Sequence, residues 1–175
     1  DSQGFAEIVE EQGDVFEQSK FDGIVGLAFP SMAAYDEKPV FDNIMAQGKL
    51  DKNMFSFYFS KHAGRTDSKL TIGGTDPDLY AGEIKFHKVI DEYYWLLKAD
   101  NILLGGKDVG LCTGGCKVIA DTGTSLITGP TDDLLTLLEE LNVDENCNGV
   151  RELPDLTFVL DGQRYTLSSG EYVMT

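Results

Sequence analysis

The residues best suited to chemistry lie in one stretch, CKVIADTGTSLITGP at 116–130. Asp121 follows an apolar run, Val118-Ile119-Ala120, and precedes Thr122, Gly123, Thr124 and Ser125. Such a β-branched run reads as a buried strand that delivers a carboxylate to its end. Gly123 permits a tight turn there. Hydroxyls that donate to a carboxylate favour its ionised form, which is how one is held ready as a general base. The competing structural reading is an Asx-type turn with Asp121 as turn former. Asp121 is the only aspartate in the chain followed by Thr-Gly.

One carboxylate does not suffice for hydrolysis of a peptide by water. The attacking water must lose a proton while the carbonyl oxygen gains one. Two carboxylates sharing one proton do both, because like charges about 3 Å apart cannot both ionise. The motif therefore predicts a matching D-T-G that this chain does not contain.

The elements that must position Asp121 are mostly strands. MFSFYFS (54–60) alternates, with Phe55, Phe57 and Phe59 on one face. KLTIGGTDP (69–77) reads as a strand stopped by Gly-Gly and a Pro turn. EIKFHKVI, YYWLLKADNILL and KVIAD follow in the same style, and LTFVLDGQRYTL is a hairpin turning at Asp161-Gly162. Two helices are expected. One spans 39–48 with Gly48 as its stop. The other spans 131–141 with Thr131 as N-cap, Asp132 and Asp133 in its first turn, and a broad leucine face. Many strands and few helices make a mostly-β protein.

Thirty acidic residues against fourteen basic give a net charge of −16 and a pI of about 4.3. Such a surface repels nucleic acid and anionic membranes. It suits an acidic compartment, where protonation relieves self-repulsion, and it equally suits simple solubility. No apolar run is long enough to span a membrane, and no signal peptide is visible. Cys112 and Cys116, separated by Thr-Gly-Gly, can close a small disulfide loop; neither has further Cys or His nearby to make a metal site. Cys147 is left odd, which points to a partner outside the chain. His62 and His87 stand without a paired nucleophile and read as surface histidines; Asp22 reads as a turn residue. No G-x-S-x-G, H-E-x-x-H or Asn-x-Ser/Thr occurs, so a serine-hydrolase elbow, a zinc protease and N-glycosylation in this stretch have no support.

Several segments in joint order carry a family resemblance: FDGIVGLAFP (21–30), PVFDNIMAQGKLDKNMFSFYFS (39–60), LTIGGTDPDLY (70–80), YYWLLKAD (93–100), CTGGCKVIADTGTSLITGP (112–130) and LPDLTFVLDGQRYTLSSGEYV (153–173). They resemble the pepsin-like aspartic proteases of the cathepsin D and pepsin type, in which a proton-sharing aspartate pair is the known arrangement. The resemblance implies a mostly-β, bilobal fold with one D-T-G per lobe and a cleft between. Residues 1–75 then correspond to the end of the N-terminal lobe and the inter-lobe segment. Residues 76–175 correspond to a C-terminal lobe incomplete at its C-terminal end.

By the same resemblance Asp121 matches the catalytic aspartate of the second lobe. Thr122 matches the threonine that bonds across to its twin, and Gly123, Thr124 and Ser125 support the site. Tyr94 and Ile119 become substrate-contact candidates, with core roles as the alternative for Ile119, Ile127 and Trp95. Ile24-Val25-Gly26 matches the element that props the first lobe's aspartate loop. Cys112–Cys116 matches the family's small disulfide loop, and Cys147 is left without its partner in this chain. The implied activity is peptide hydrolysis at acidic pH, in a secreted or lysosome- or vacuole-like compartment, without metal or cofactor. The implied partners are peptide or protein substrates, statine-type inhibitors, and the remainder of the protease, which supplies the first aspartate and the flap. A non-catalytic peptide-binding homologue is the alternative, a retroviral-type homodimer a more distant one. The isolated piece is expected to be inactive.

Overall fold

Alternating phenylalanines set the first ladder. The computed structural model describes residues 3–10, 19–61, 67–143 and 148–174, and the chain divides into two compact units between Lys85 and Phe86. In the first unit α1 (Val40–Ala46) starts behind Pro39, whose ring locks φ at −55°. β1 (Phe55–Tyr58) pairs antiparallel with β2 (Lys69–Ile72), Phe55 opposite Ile72. Phe41 is buried in α1 and meets Phe55 edge-on, with ring centroids 5.0 Å apart. Phe55, Phe57 and Phe59 do share a face, each ring touching the next. Phe59, past the end of the ladder, is 62% exposed. Beyond β2 a helical turn, Pro77–Leu79, is capped by the Asp76 carboxylate, which also takes Lys69 Nζ at 2.6 Å.

The second unit carries Asp121. β3 (Asp91–Glu92), β4 (Trp95–Ala99), β5 (Asn101–Leu104), β6 (Lys107–Asp108) and β7 (Cys116–Ile119) lead to α2 (Thr131–Leu141), and β8 (Leu156–Leu160), β9 (Gln163–Leu167) and α3 (Ser169–Tyr172) follow. They form a three-stranded sheet ordered β3-β4-β7 and a four-stranded sheet ordered β6-β5-β8-β9. The core gathers Leu104, Leu141 and Leu156, with Leu137, Phe158 and Tyr172 packed against it. Leu156 is 2% exposed; truncating such a side chain to alanine costs about 2–5 kcal/mol.

Asp100 divides YYWLLKADNILL into β4 and β5. Its N–H donates to Val159 O at 2.7 Å, and its carboxylate accepts the Gly162 N–H at 2.8 Å. The β8–β9 turn has Asp161 and Gly162 at φ 49° and 75°, the left-handed pair that a two-residue hairpin requires and that Asp-Gly tolerates best.

Two sequence expectations need correction. EIKFHKVI (83–90) forms no ladder among the described residues; composition favours a strand, but only cross-strand bonds make one. Thr131 is the first helical residue of α2 and not its cap. Pro130 holds the cap position with no side-chain bond, its ring already fixing the entry φ. The leucine face of α2 is partly buried: Leu141 is in the core while Leu135 and Leu138 are exposed. A four-residue helix, α3, carries a local signature in its sequence, the capping box Ser168-x-x-Glu171. Its Tyr172 hydroxyl donates to Pro154 O at 2.6 Å, and burial, followed by the nearby Asp155 charge, pushes that phenol upward.

Candidate active site

β7 runs antiparallel to β4 with Leu96 opposite Ile119 and Ala99 opposite Cys116. The C-terminal end of β7 therefore lies beside the N-terminal end of β4. One end of the sheet holds three things together: Ile119, the Tyr93-Tyr94 turn that joins β3 to β4, and the loop that begins at Asp121. At the other end of β7, Cys112 and Cys116 form a disulfide with Cα atoms 5.4 Å apart. It closes the loop that feeds the strand.

Asp121 is the second residue past that strand, after Ala120, and its carboxylate is bonded on both oxygens. The Gly123 N–H donates to Oδ1 at 2.8 Å, and the Thr124 hydroxyl donates to Oδ2 at 2.5 Å. The Thr124 bond chiefly, then the Gly123 bond, holds the carboxyl below the ordinary carboxylate range; slight desolvation opposes them. Gly123 lies close to the carboxylate: a Cβ there would stand 3.3 Å from Asp121 Oδ1, which would have to give by a few tenths of an ångström. Thr122 lies in the turn beside Gly123, and Ser125 follows Thr124; neither is among the donors to Asp121. Residues 121–132 are exposed throughout. The carboxylate is thus ionised, oriented and open to solvent.

The other candidates fall into place around it. Tyr94 is exposed, its ring edge-on to Tyr93 at 5.1 Å. Ile119, Ile127 and Trp95 are 43%, 45% and 37% exposed, so none of the three is core in this chain. A three-stranded sheet covers large side chains at its strand ends only in part. Ile24 and Val25 are exposed as well, and Asp22 sits at a bend. Cys147 and His62 lie outside the described residues. His87 is a correction: its side chain is only 12% exposed and is bonded at both ring nitrogens. Its partners are 74 and 78 residues away, so no local pattern could have marked it. Among the described residues no cluster of His, Cys, Asp and Glu fits a metal ion. Among the described residues no helix is long and apolar enough to cross a membrane.

The eukaryotic aspartyl protease family profile matches residues 1–175. The chain belongs to that family. It is similar to cathepsin D of Chionodraco hamatus (39% identity over 99% of this chain), cathepsin E of Oryctolagus cuniculus (41% over 98%) and pepsin F of Oryctolagus cuniculus (37% over 98%). In each case the match covers 45–46% of the relative, so this aspartyl protease chain spans about half the length of the curated relatives it matches. Its mostly-sheet architecture with few helices accords with the pepsin-like fold.

Proposed function

We propose that the chain supplies one catalytic carboxylate, Asp121, to an aspartic endopeptidase that cleaves peptides at acidic pH. The observation that carries this reading is the Asp121 carboxylate: a family D-T-G aspartate at a strand end, bonded on both oxygens and open to solvent. A second aspartate outside this chain would share its proton. Asp121, kept ionised in acid by Thr124 and Gly123, would draw a proton from the attacking water. The partner carboxyl would protonate the carbonyl oxygen. Thr122 would tie the two loops together.

Tyr94 and Ile119, exposed at the same sheet end as Asp121, would meet the substrate. Residues 1–75 would close a first lobe and 76–175 build most of a second. The compartment would be secretory or lysosome-like, as the charge of −16 suits. The chain alone, with one carboxylate, would not turn over. If the second aspartate is lost, the same site becomes a peptide binder.

The test is peptide cleavage by the full-length protein at about pH 4, with and without a statine-type inhibitor, in wild type and Asp121→Asn. Inhibitable cleavage that vanishes in a folded Asp121→Asn protein is expected. Cleavage retained in that variant would remove Asp121 from the mechanism. Inhibitor binding without any wild-type turnover would favour the peptide-binding reading.

A further inference from the structure

The second unit contains another ordered set of titratable groups. His87 Nδ1 lies 2.7 Å from Asp161 Oδ2, and His87 Nε2 lies 2.5 Å from the Tyr165 hydroxyl. The imidazole is nearly enclosed at 12% exposure, whereas Tyr165 is 39% exposed. The imidazole and phenol rings meet edge-on, 5.5 Å between centroids at 80°. Two of the three groups are carried by the β8–β9 hairpin. Tyr165 sits in β9 opposite Phe158, and Asp161 sits in the hairpin turn whose next residue, Gly162, is tied to the Asp100 carboxylate.

The roles follow from which atoms can donate. An ionised carboxylate only accepts, so in the neutral imidazole Asp161 fixes the proton on Nδ1. Nε2 is then left with its lone pair, facing the Tyr165 hydroxyl. Nucleophile, base and orienting carboxylate in that sequence are the general requirements of an activated hydroxyl. None of the three belongs to the Asp121 loop.

We propose that Tyr165 is a nucleophilic tyrosine, with His87 as its base and Asp161 as the group that orients His87, and that it accepts acyl groups from activated esters. The Tyr165 oxygen forms a bond to the ester carbonyl carbon while its proton passes to His87 Nε2. The carbon–oxygen bond to the leaving aryl oxide then breaks, leaving an acyl-tyrosine. His87 returns its extra proton to water.

The test uses p-nitrophenyl acetate on the full folded protein that carries these residues, at neutral pH, with each tyrosine's acetylation read by peptide mass mapping. Tyr165 is expected to acetylate at least about tenfold faster than Tyr35, Tyr80, Tyr93 and Tyr94. All four are more exposed, so accessibility alone predicts the opposite order. Asp161→Asn keeps a residue that tolerates the turn's positive φ. It should slow Tyr165 about tenfold or more while the other tyrosines and peptide cleavage stay unchanged. Tyr165 labelled no faster than the other four, or unaffected by Asp161→Asn, would overturn the proposal.

Discussion

Asp121 and Asp108, both in the second unit, are held in almost the same way. Each accepts the N–H of the residue two positions on, Gly123 or Gly110, and a second bond from a side chain. Each carboxyl is held below the ordinary range, with the side-chain donor as the larger cause. The difference is where that donor comes from. Thr124 belongs to Asp121's own loop, three residues on. Asn101 reaches Asp108 from β5, the strand that pairs with Asp108's own. Asp108 thus staples two strands, while the Asp121 loop is complete in itself and leaves its carboxylate free for a task. Asp76, with Lys69 as its second donor, repeats the stapling pattern in the first unit. A lowered carboxyl in an Asx turn is therefore no mark of catalysis by itself. Under the proposed function, what separates Asp121 from its look-alikes is its place in the D-T-G turn beyond β7.

The contrast can be broken most severely by removing each charge in the full-length protein. Asp121→Asn should lower kcat/KM by more than about 10³-fold, with circular dichroism unchanged. Asp108→Asn should leave kcat/KM within about threefold and lower Tm instead. Equal losses would erase the distinction.

The glycines come next. Gly123→Ala places a methyl against Asp121 Oδ1 and should cost about 10–100-fold in kcat/KM by misplacing the carboxylate. Gly110 has open space around its missing Cβ but a φ of +92°. Gly110→Ala should therefore cost about 1–2 kcal/mol of stability, read by denaturant titration, and spare the rate.

The smallest effects come from the side-chain donors. A carboxyl lowered in the folded state contributes stability above its unfolded value and loses it as pH falls through the folded one. Thr124→Val should raise Asp121 toward the ordinary range. The acid limb of the kcat/KM–pH profile should move to higher pH, with less than about tenfold loss at the optimum. Asn101→Ala should bring acid unfolding to slightly higher pH through Asp108 and leave the rate profile where it was.

Local signals were legible in the sequence. Asp161-Gly162 announced its hairpin because few other pairs accept two left-handed residues in succession. The D-T-G loop was legible because its donors lie within three residues of Asp121. The N-cap of α2 at Pro130 and the capping box of α3 are local and still escaped the pattern; the larger failures were non-local. EIKFHKVI has the composition of a strand, but its bonding depends on what lies beside it. His87 reads as a surface residue in sequence because its two partners arrive with a distant hairpin. The exposure of Trp95 and Ile119 depends on how many strands flank them, which side-chain type does not report.

The most direct measurement is a carboxyl-carbon NMR titration of Asp121 and Asp108 in the full-length protein, with and without a statine-type inhibitor. The account predicts that the inhibitor displaces the Asp121 resonance and alters its titration, while Asp108 titrates identically in both samples. Asp121 unmoved by bound inhibitor, or moved no more than Asp108, would contradict the claim that it is the working carboxylate.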